Sequence, residues 1–225
     1  GLNEAGIDTE FMVWDESLPD AKTIIILAEG EHTVFIPTLN LQRIELSGEA
    51  MEALRQADYI YSTFCELRPL RFGEMTACKV LGDVKSRGCR LWVDLDVADI
   101  QDGDEALFGY VDTLFVNEKG YENLEKRAGG DVCAWLYGKG VQRLIVTQAE
   151  KGCTVYCRDE ETFSVDGLKV PVVDVTGAGD TFCSSFLYGY ARGMELRQCA
   201  KFANYAASRA VTELGARAGA VGAEA

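Results

Sequence analysis

Two aspartates separated by small residues form the segment of this sequence best suited to chemistry. They lie in DVTGAGDTFCSSF, residues 174–186, where a β-branched run gives way to an apolar helical pattern. Gly177, Ala178 and Gly179 allow a ligand to approach the backbone closely. Free amides at a helix start, together with the positive end of the helix dipole, suit a phosphate. The segment therefore predicts either an anion site or a tight turn that carries two acids.

Asp180 stands at the entrance of the predicted helix, and two interpretations of it remain open. A carboxylate beside a phosphate opposes binding, because like charges repel, but it could take a proton from an attacking hydroxyl. Aspartate is also a common helix cap, so a purely structural role fits equally well. The segment is not a Walker loop, since no Lys-Ser/Thr pair follows the glycines, and it lacks the third glycine of a dinucleotide fingerprint.

Composition narrows the class of protein. The chain has 225 residues, enough for one sizeable domain, and its formal net charge is −14. This acidity argues against nucleic-acid binding, which requires Lys and Arg. We expect no membrane span and no signal peptide, because the sequence has no long apolar run. The 8 cysteines lack a CxxC pair and only 1 histidine is present, which favours reduced thiols in a cytoplasmic protein over a zinc site.

Strand and helix patterns alternate along most of the chain. Strands are predicted over residues 58–64, 90–97, 113–117 and 143–148, followed by a hairpin over 153–165 and a strand-like run over 169–175. Helices are predicted over residues 48–57, 70–88, 103–110, 118–128, 131–140, 181–192 and 195–214. Such alternation implies a mostly parallel sheet with helices on both faces. An early hairpin over 23–37 does not fit the alternation, so it predicts a small separate sheet.

The order of these motifs resembles the ribokinase/PfkB family of carbohydrate kinases. DVTGAGDTFCSSF is similar to the carboxy-terminal D-T-x-G-A-G-D signature of that family. VNEKG and LIVTQAEKG precede it, and FANYAASRAVTELGA follows it, in the family's order. The resemblance implies a ribokinase-like α/β fold plus a small β lid. It places the α/β domain at residues 1–9 and 46–225 and the lid at residues 10–45. The α/β domain is expected to be incomplete at its amino end, because the family's opening segment has no counterpart in this sequence.

The same resemblance implies roles for single residues. Asp180 would be the catalytic base, and the amides of Gly177, Ala178 and Gly179 would form the anion hole for the transferring phosphoryl group. Asp174 and Thr176 would lie beside a monovalent cation such as K⁺, and Asn117 would lie near Mg²⁺ and phosphate. Thr147 and Gly152 would lie at the nucleotide phosphates and ribose, and Asn204 at the purine.

The activity implied is transfer of the γ-phosphoryl group from ATP, with Mg²⁺, to a hydroxyl of a sugar or sugar-like substrate. A nucleoside or vitamin-alcohol kinase of the same superfamily remains an alternative, and so does a non-catalytic relative that binds nucleotide. Lids of this family often pair between subunits, so we expect a cytoplasmic homodimer with no nucleic-acid or membrane partner.

Several positions depart from the family pattern. Gly120 occupies the fourth position of the N-x-x-E motif, where the family has glutamate. Glu118 or Glu122 could substitute for that glutamate through a water molecule. Ala149 stands where many relatives carry glycine, and Asp96 stands at the asparagine of a D-x-N motif.

Overall fold

The computed structural model describes residues 2–12, 24–28, 31–35 and 43–217. In chain order the strands are β1 (Ile24–Ala28), β2 (Glu31–Phe35), β3 (Ile44–Glu45), β4 (Tyr59–Thr63), β5 (Leu70–Phe72), β6 (Met75–Thr76), β7 (Arg90–Asp94), β8 (Val111–Asn117), β9 (Arg143–Thr147), β10 (Cys153–Cys157) and β11 (Phe163–Val165). The helices are α1 (Gly48–Gln56), α2 (Phe64–Leu67), α3 (Ala77–Ser86), α4 (Glu118–Ala128), α5 (Val132–Lys139), α6 (Ala178–Ala191) and α7 (Leu196–Ala210). In this part of the chain, no helix is long and apolar enough to cross a bilayer.

A six-stranded sheet in the order β11-β10-β9-β8-β7-β4 forms the centre of the fold. Strands β4, β7, β8 and β9 pair in parallel, whereas β10 and β11 are antiparallel. The predicted mostly parallel sheet is therefore confirmed. Because parallel strands end at the same edge, the residues that follow β7, β8 and β9 lie side by side.

Both faces of the sheet are covered by helices, as predicted. Along β7, Leu91 and Val93 belong to one buried cluster and Trp92 to another, because successive side chains point to opposite faces. The first cluster includes residues of α3, α4 and α5, and the second includes residues of α6 and α7. Burial of each such large side chain stabilises the fold by about 1.5–3 kcal/mol.

Helix α6 is fixed against the sheet by its aromatic residues and against α7 by small ones. Phe182 and Phe186 are buried in the cluster around Trp92. Gly189 faces α7 so closely that a Cβ there would lie 3.3 Å from Cys199 Sγ. These contacts set the position of the start of α6, where the two aspartates of the motif lie.

Two small sheets lie outside the central one. Strands β1 and β2 form an antiparallel hairpin, which confirms the prediction over 23–37. Strand β3 pairs in parallel with β5, and β5 pairs antiparallel with β6. The predicted lid boundaries at 10 and 45 stay a prediction, since much of that segment lies outside the described residues, namely 13–23, 29–30 and 36–42.

The predicted helix over 70–88 is wrong in its first part, because β5 and β6 form a hairpin there and α3 begins only at Ala77. Gly73 has a φ of 55°, a left-handed conformation that turns the chain between the two strands. Phe72 and Met75 pack against a buried cluster that includes Val80 of α3. The helical apolar spacing is thus confined to α3, and the apolar residues before it belong to two short strands.

Three other predicted elements differ from the structure. The segment 103–110 forms two short 3-10 turns instead of one helix. The strand-like run over 169–175 is not a strand, since its Val173 amide donates to Val211 O, at 2.8 Å, beyond the end of α7. Pro171 has no amide with which to join a sheet. Helix α7 ends at Ala210, so the helix predicted over 195–214 does not reach Leu214, which is 71% exposed.

Candidate active site

A cavity of about 1080 Å³ opens where the parallel strands end. Asp94, Asn117 and Thr147 are the last residues of β7, β8 and β9, and all three line it. Ala178 and Gly179, at the start of α6, form part of its wall. Open α/β sheets bind their ligands in this position, beyond the carboxyl ends of the strands.

Most of the predicted site residues come together at this cavity. Those that line it are Asn117, Thr147, Gly152, Ala178, Gly179 and Asn204. The others are Asp174, Thr176, Gly177 and Asp180. These four residues lie in the loop before α6 or in its first turn, next to Val175 and Ala178, which line the cavity. The predicted nucleotide residues and the predicted catalytic motif therefore form one site.

The start of α6 leaves backbone amides available. Gly177 is the N-cap residue, with a φ of 80°, and no side chain caps the helix. A Cβ on Gly177 would lie 2.8 Å from Ala216 O, so the turn requires glycine. The Ala178 amide donates to Val175 O at 3.1 Å, whereas the amides of Gly177 and Gly179 have no acceptor within the described residues.

Asp180 does not cap the helix. Its side chain is exposed in the first turn of α6, and within the described residues nothing donates a hydrogen bond to its carboxylate. A negative charge at a helix N-terminus is stabilised by the dipole. The purely capping interpretation of Asp180 therefore has no hydrogen bond to support it, and a carboxylate at the edge of the cavity remains able to accept a proton.

A half-buried carboxylate near Asp180, that of Asp94, was missed in the sequence. Asp94 Oδ2 accepts from Tyr61 Oη at 3.4 Å and from Cys183 Sγ at 3.6 Å. Burial raises the pKa of Asp94, and the charges of Asp96 and Asp180 raise it further. Burial is also the main reason why the pKa values of Tyr61 and Cys183 are raised, so both remain neutral donors near pH 7. Two signals were available: Asp94 begins the D-x-N-like segment that ends at Asp96, and Cys183 lies one helical turn after Asp180.

Asp174 connects the two ends of the motif region. Its Oδ1 accepts from the amide of Thr176 at 2.9 Å and from Thr176 Oγ1 at 2.7 Å. Its Oδ2 accepts from the Gly215 amide at 2.9 Å. Asp174 thereby holds the turn before α6 to the turn after α7. The two aspartates of the motif thus have different environments, one engaged in hydrogen bonds and one exposed.

The nucleotide side of the cavity depends on direct backbone packing. A Cβ on Gly152 would lie 2.0 Å from Val165 O, and a Cβ on Gly167 would lie 2.4 Å from Glu150 O. The buried Asn204 spans the same region, because its Nδ2 donates to Val165 O at 3.2 Å and to Asp166 O at 3.1 Å. The amide donors of Asn204 therefore hold this wall in place.

Ala149 adopts a left-handed conformation, with a φ of 48°, which explains why glycine suits this position. This conformation destabilises a residue with a Cβ by about 1–2 kcal/mol, and replacing alanine by glycine removes that strain. Part of the resulting gain in stability is offset, because glycine has more conformational entropy in the unfolded state. We expect Ala149→Gly to raise the free energy of unfolding by roughly 0.5–1 kcal/mol in urea titrations. Ala134→Gly, at an exposed position of helix α5, is the matched control and should lower it by about 0.5–1 kcal/mol. A decrease for Ala149→Gly would contradict the strain.

The fold and the site define an α/β protein with a cavity at the edge of a parallel sheet and, beside it, a helix start whose backbone amides are not capped by a side chain. The model of the pfkB family of carbohydrate kinases matches residues 1–221, so the chain belongs to that family. The family uses ATP.

Individual relatives agree with this assignment. A ribokinase from Thermotoga maritima superposes with a TM-score of 0.72 at 25% identity, covering 92% of this chain and 68% of that one. An uncharacterized sugar kinase from Archaeoglobus fulgidus is 36% identical over 80 residues, 36% of this chain and 32% of its own length. A cytidine kinase from Thermococcus kodakarensis is 34% identical over 98 residues, 40% of this chain and 34% of that protein. The matched segments thus span about a third of these two relatives. The predicted family and ribokinase-like fold are confirmed.

Proposed function

We propose that this protein is an ATP-dependent kinase that transfers the γ-phosphoryl group to a hydroxyl of a sugar or sugar-like substrate. The observation that carries the proposal is the exposed Asp180 carboxylate at the start of α6, beside the amides of Gly177 and Gly179 and a cavity of about 1080 Å³. Phosphoryl transfer to a hydroxyl requires a proton acceptor and donors for the phosphate oxygens, and both lie within one helical turn.

In the proposed reaction, Asp180 takes the proton of the acceptor hydroxyl while that oxygen bonds to the γ-phosphorus. The bond from the γ-phosphorus to the bridging oxygen breaks, ADP leaves, and the proton remains on Asp180. The amides of Gly177 and Gly179 donate to the oxygens of the transferring group, as the predicted anion hole requires. Ala178 would join them only if its amide left Val175 O.

The nucleotide would occupy the cavity side formed by Thr147, Gly152 and Asn204, with its phosphates toward Asn117. Oxygen donors suit Mg²⁺, which in kinases binds one or two carboxylates together with substrate phosphates and water. Asp96 lines the cavity and would place its carboxylate near the water molecules around Mg²⁺. Bound Mg²⁺ would neutralise charge on the phosphates.

A monovalent cation such as K⁺ would bind near Asp174 and Thr176, next to the anion hole. The family resemblance and the position of that turn support such a cation site. The hydrogen bonds of Asp174 already order the turn, so the cation would add to an existing arrangement.

The β1–β2 hairpin would act as a lid over the substrate and as a contact between two subunits. Ile24 pairs with Phe35, and both side chains are more than half exposed, as is Ile26. An exposed apolar face of this kind favours coverage by another surface. The protein would then be a homodimer in the cytoplasm.

A nucleoside is the second candidate substrate, because one of the relatives is a cytidine kinase.

The test is ADP release with ATP and Mg²⁺ against ribose, fructose, adenosine and cytidine, with ATP binding measured by calorimetry. Turnover on a sugar would support the proposal, and turnover on a nucleoside alone would favour the second candidate. ATP binding without turnover on any acceptor would favour a non-catalytic relative, and no ATP binding would refute all three.

A further inference from the structure

Gly120 allows the loop after β7 to contact the start of α4. A Cβ at this position would lie 2.1 Å from Asp96 O and 3.0 Å from Val116 Cβ. Backbone atoms cannot yield to such a contact as a flexible side chain can. A glutamate at position 120 is therefore incompatible with the observed position of Asp96. The glycine and the aspartate act as a pair.

The backbone carbonyl of Asp96 replaces the capping-box acceptor that an acidic residue at position 120 would provide, and the Asp96 carboxylate makes a separate contact with the Asn117 side chain. Asn117 caps α4, with its Oδ1 accepting from the Gly120 amide at 2.8 Å. In a capping box, the acidic side chain three residues after the cap accepts from the amide of the cap residue. Here the Asn117 amide donates to Asp96 O at 3.0 Å, and Asn117 Nδ2 donates to Asp96 Oδ1 at 2.6 Å. A neighbouring strand end thus supplies both the acceptor and the carboxylate.

The conformation of Asp96 is unusual and is held in place. Its φ is 48°, in the left-handed region, which aspartate tolerates better than most residues. Its amide donates to Asp94 Oδ1 at 2.8 Å. Together with the two bonds to Asn117, this contact fixes the backbone and the side chain of Asp96 at the wall of the cavity.

The other two candidate carboxylates are already engaged. Glu118 pairs with Lys151 at 2.9 Å, and Glu122 pairs with Lys119 at 3.1 Å. Within the described residues, no Lys or Arg forms an ion pair with Asp96. The predicted substitution by Glu118 or Glu122 is therefore less well supported than a substitution by Asp96.

We infer that Asp96 is the acidic positioning residue of this site and takes the place of the glutamate at position 120. This inference rests on the proposed kinase function. The carboxylate orients Asn117 and the water molecules that surround Mg²⁺ on the ATP phosphates, while Gly120 provides the space for it. Asp96 should therefore control how strongly Mg²⁺ promotes nucleotide binding and contribute little to binding of the nucleotide itself.

The test is calorimetric titration with a non-hydrolysable ATP analogue, with and without Mg²⁺. We expect Asp96→Asn to bind the analogue without Mg²⁺ as the wild type does, because asparagine keeps an acceptor for Asn117. The gain in affinity on adding Mg²⁺ should fall by about 10- to 100-fold, a loss typical of residues that orient a metal site. The matched control is Asp102→Asn, in an exposed turn outside the cavity, and it should keep the full gain.

A second variant tests the same inference from the other partner. Gly120→Ala should displace the Asp96 backbone and reduce the Mg²⁺-dependent gain similarly. Gly138→Ala, whose Cβ would meet open space in α5, should leave the gain unchanged. If Asp96→Asn or Gly120→Ala kept the full Mg²⁺-dependent gain in affinity, the inference about Asp96 would be overturned while the proposed function would stand. Failure of the wild type to bind the analogue at all would overturn the proposed function as well.

Discussion

Asp180→Asn should lower kcat by about 10²- to 10⁴-fold, the usual contribution of a general base, and retain ATP binding, which should tighten if it changes because a like charge beside the phosphates is removed. The amide of asparagine cannot accept the hydroxyl proton. The carboxylate lies exposed at the start of α6, and nothing in the described structure donates a hydrogen bond to it, so its replacement should break no contact. Steady-state turnover on the acceptor found in the substrate panel and calorimetry with ATP measure the two quantities.

Asparagine is also the substitution that best separates catalysis from capping. Asn caps a helix about as well as Asp, so a residue that only capped α6 would tolerate the change. The matched control is Asp131→Asn, because Asp131 does cap α5 by accepting from the Ala134 amide at 3.0 Å. We expect that variant to retain full turnover. Unchanged kcat in Asp180→Asn would refute the assignment of the base.

The parts of the fold that the sequence predicted are those with a strong local period. Leu91, Trp92 and Val93 alternate between the two faces of the sheet, and the surrounding apolar run made β7 evident. Helix α6 was predicted from residue 181, but it begins at Ala178. The three-residue difference arises because the left-handed Gly177 caps the helix, so its first turn consists of small residues with no apolar period.

The parts that the sequence could not predict depend on contacts between distant segments. Tyr61, Asp94 and Cys183 come from three separate elements, and no local pattern links them. The same holds for Gly120, which appeared as a lost glutamate until the structure placed Asp96 O against it. Local sequence thus indicated where the site lies but not which residues from neighbouring strands complete it.

Gly152→Ala should cause the largest loss of stability of any single methyl group added at the site. Gly152 has φ 101° and ψ −128°, a conformation that residues with a Cβ rarely adopt. The added Cβ would lie 2.0 Å from Val165 O and 2.5 Å from Gly167 N, and both are backbone atoms. We expect the free energy of unfolding to fall by about 3–5 kcal/mol, since backbone strain and steric overlap combine.

The substitution should also weaken ATP binding, because Val165 is held both by the sheet and by Asn204 of the nucleotide site. Its backbone pairs with Cys153 in the sheet, and its carbonyl accepts from Asn204, so movement away from a new methyl group disturbs both. Urea unfolding gives the stability, and calorimetry with ATP at low temperature gives the affinity of the molecules that remain folded. Gly130→Ala is the matched control, since a Cβ there meets open space, and its stability should change by no more than about 0.5 kcal/mol. Equal stability of the two variants would show that the loop before β10 can move away from β11, and weaker ATP binding could then no longer be attributed to the backbone contact at Gly152.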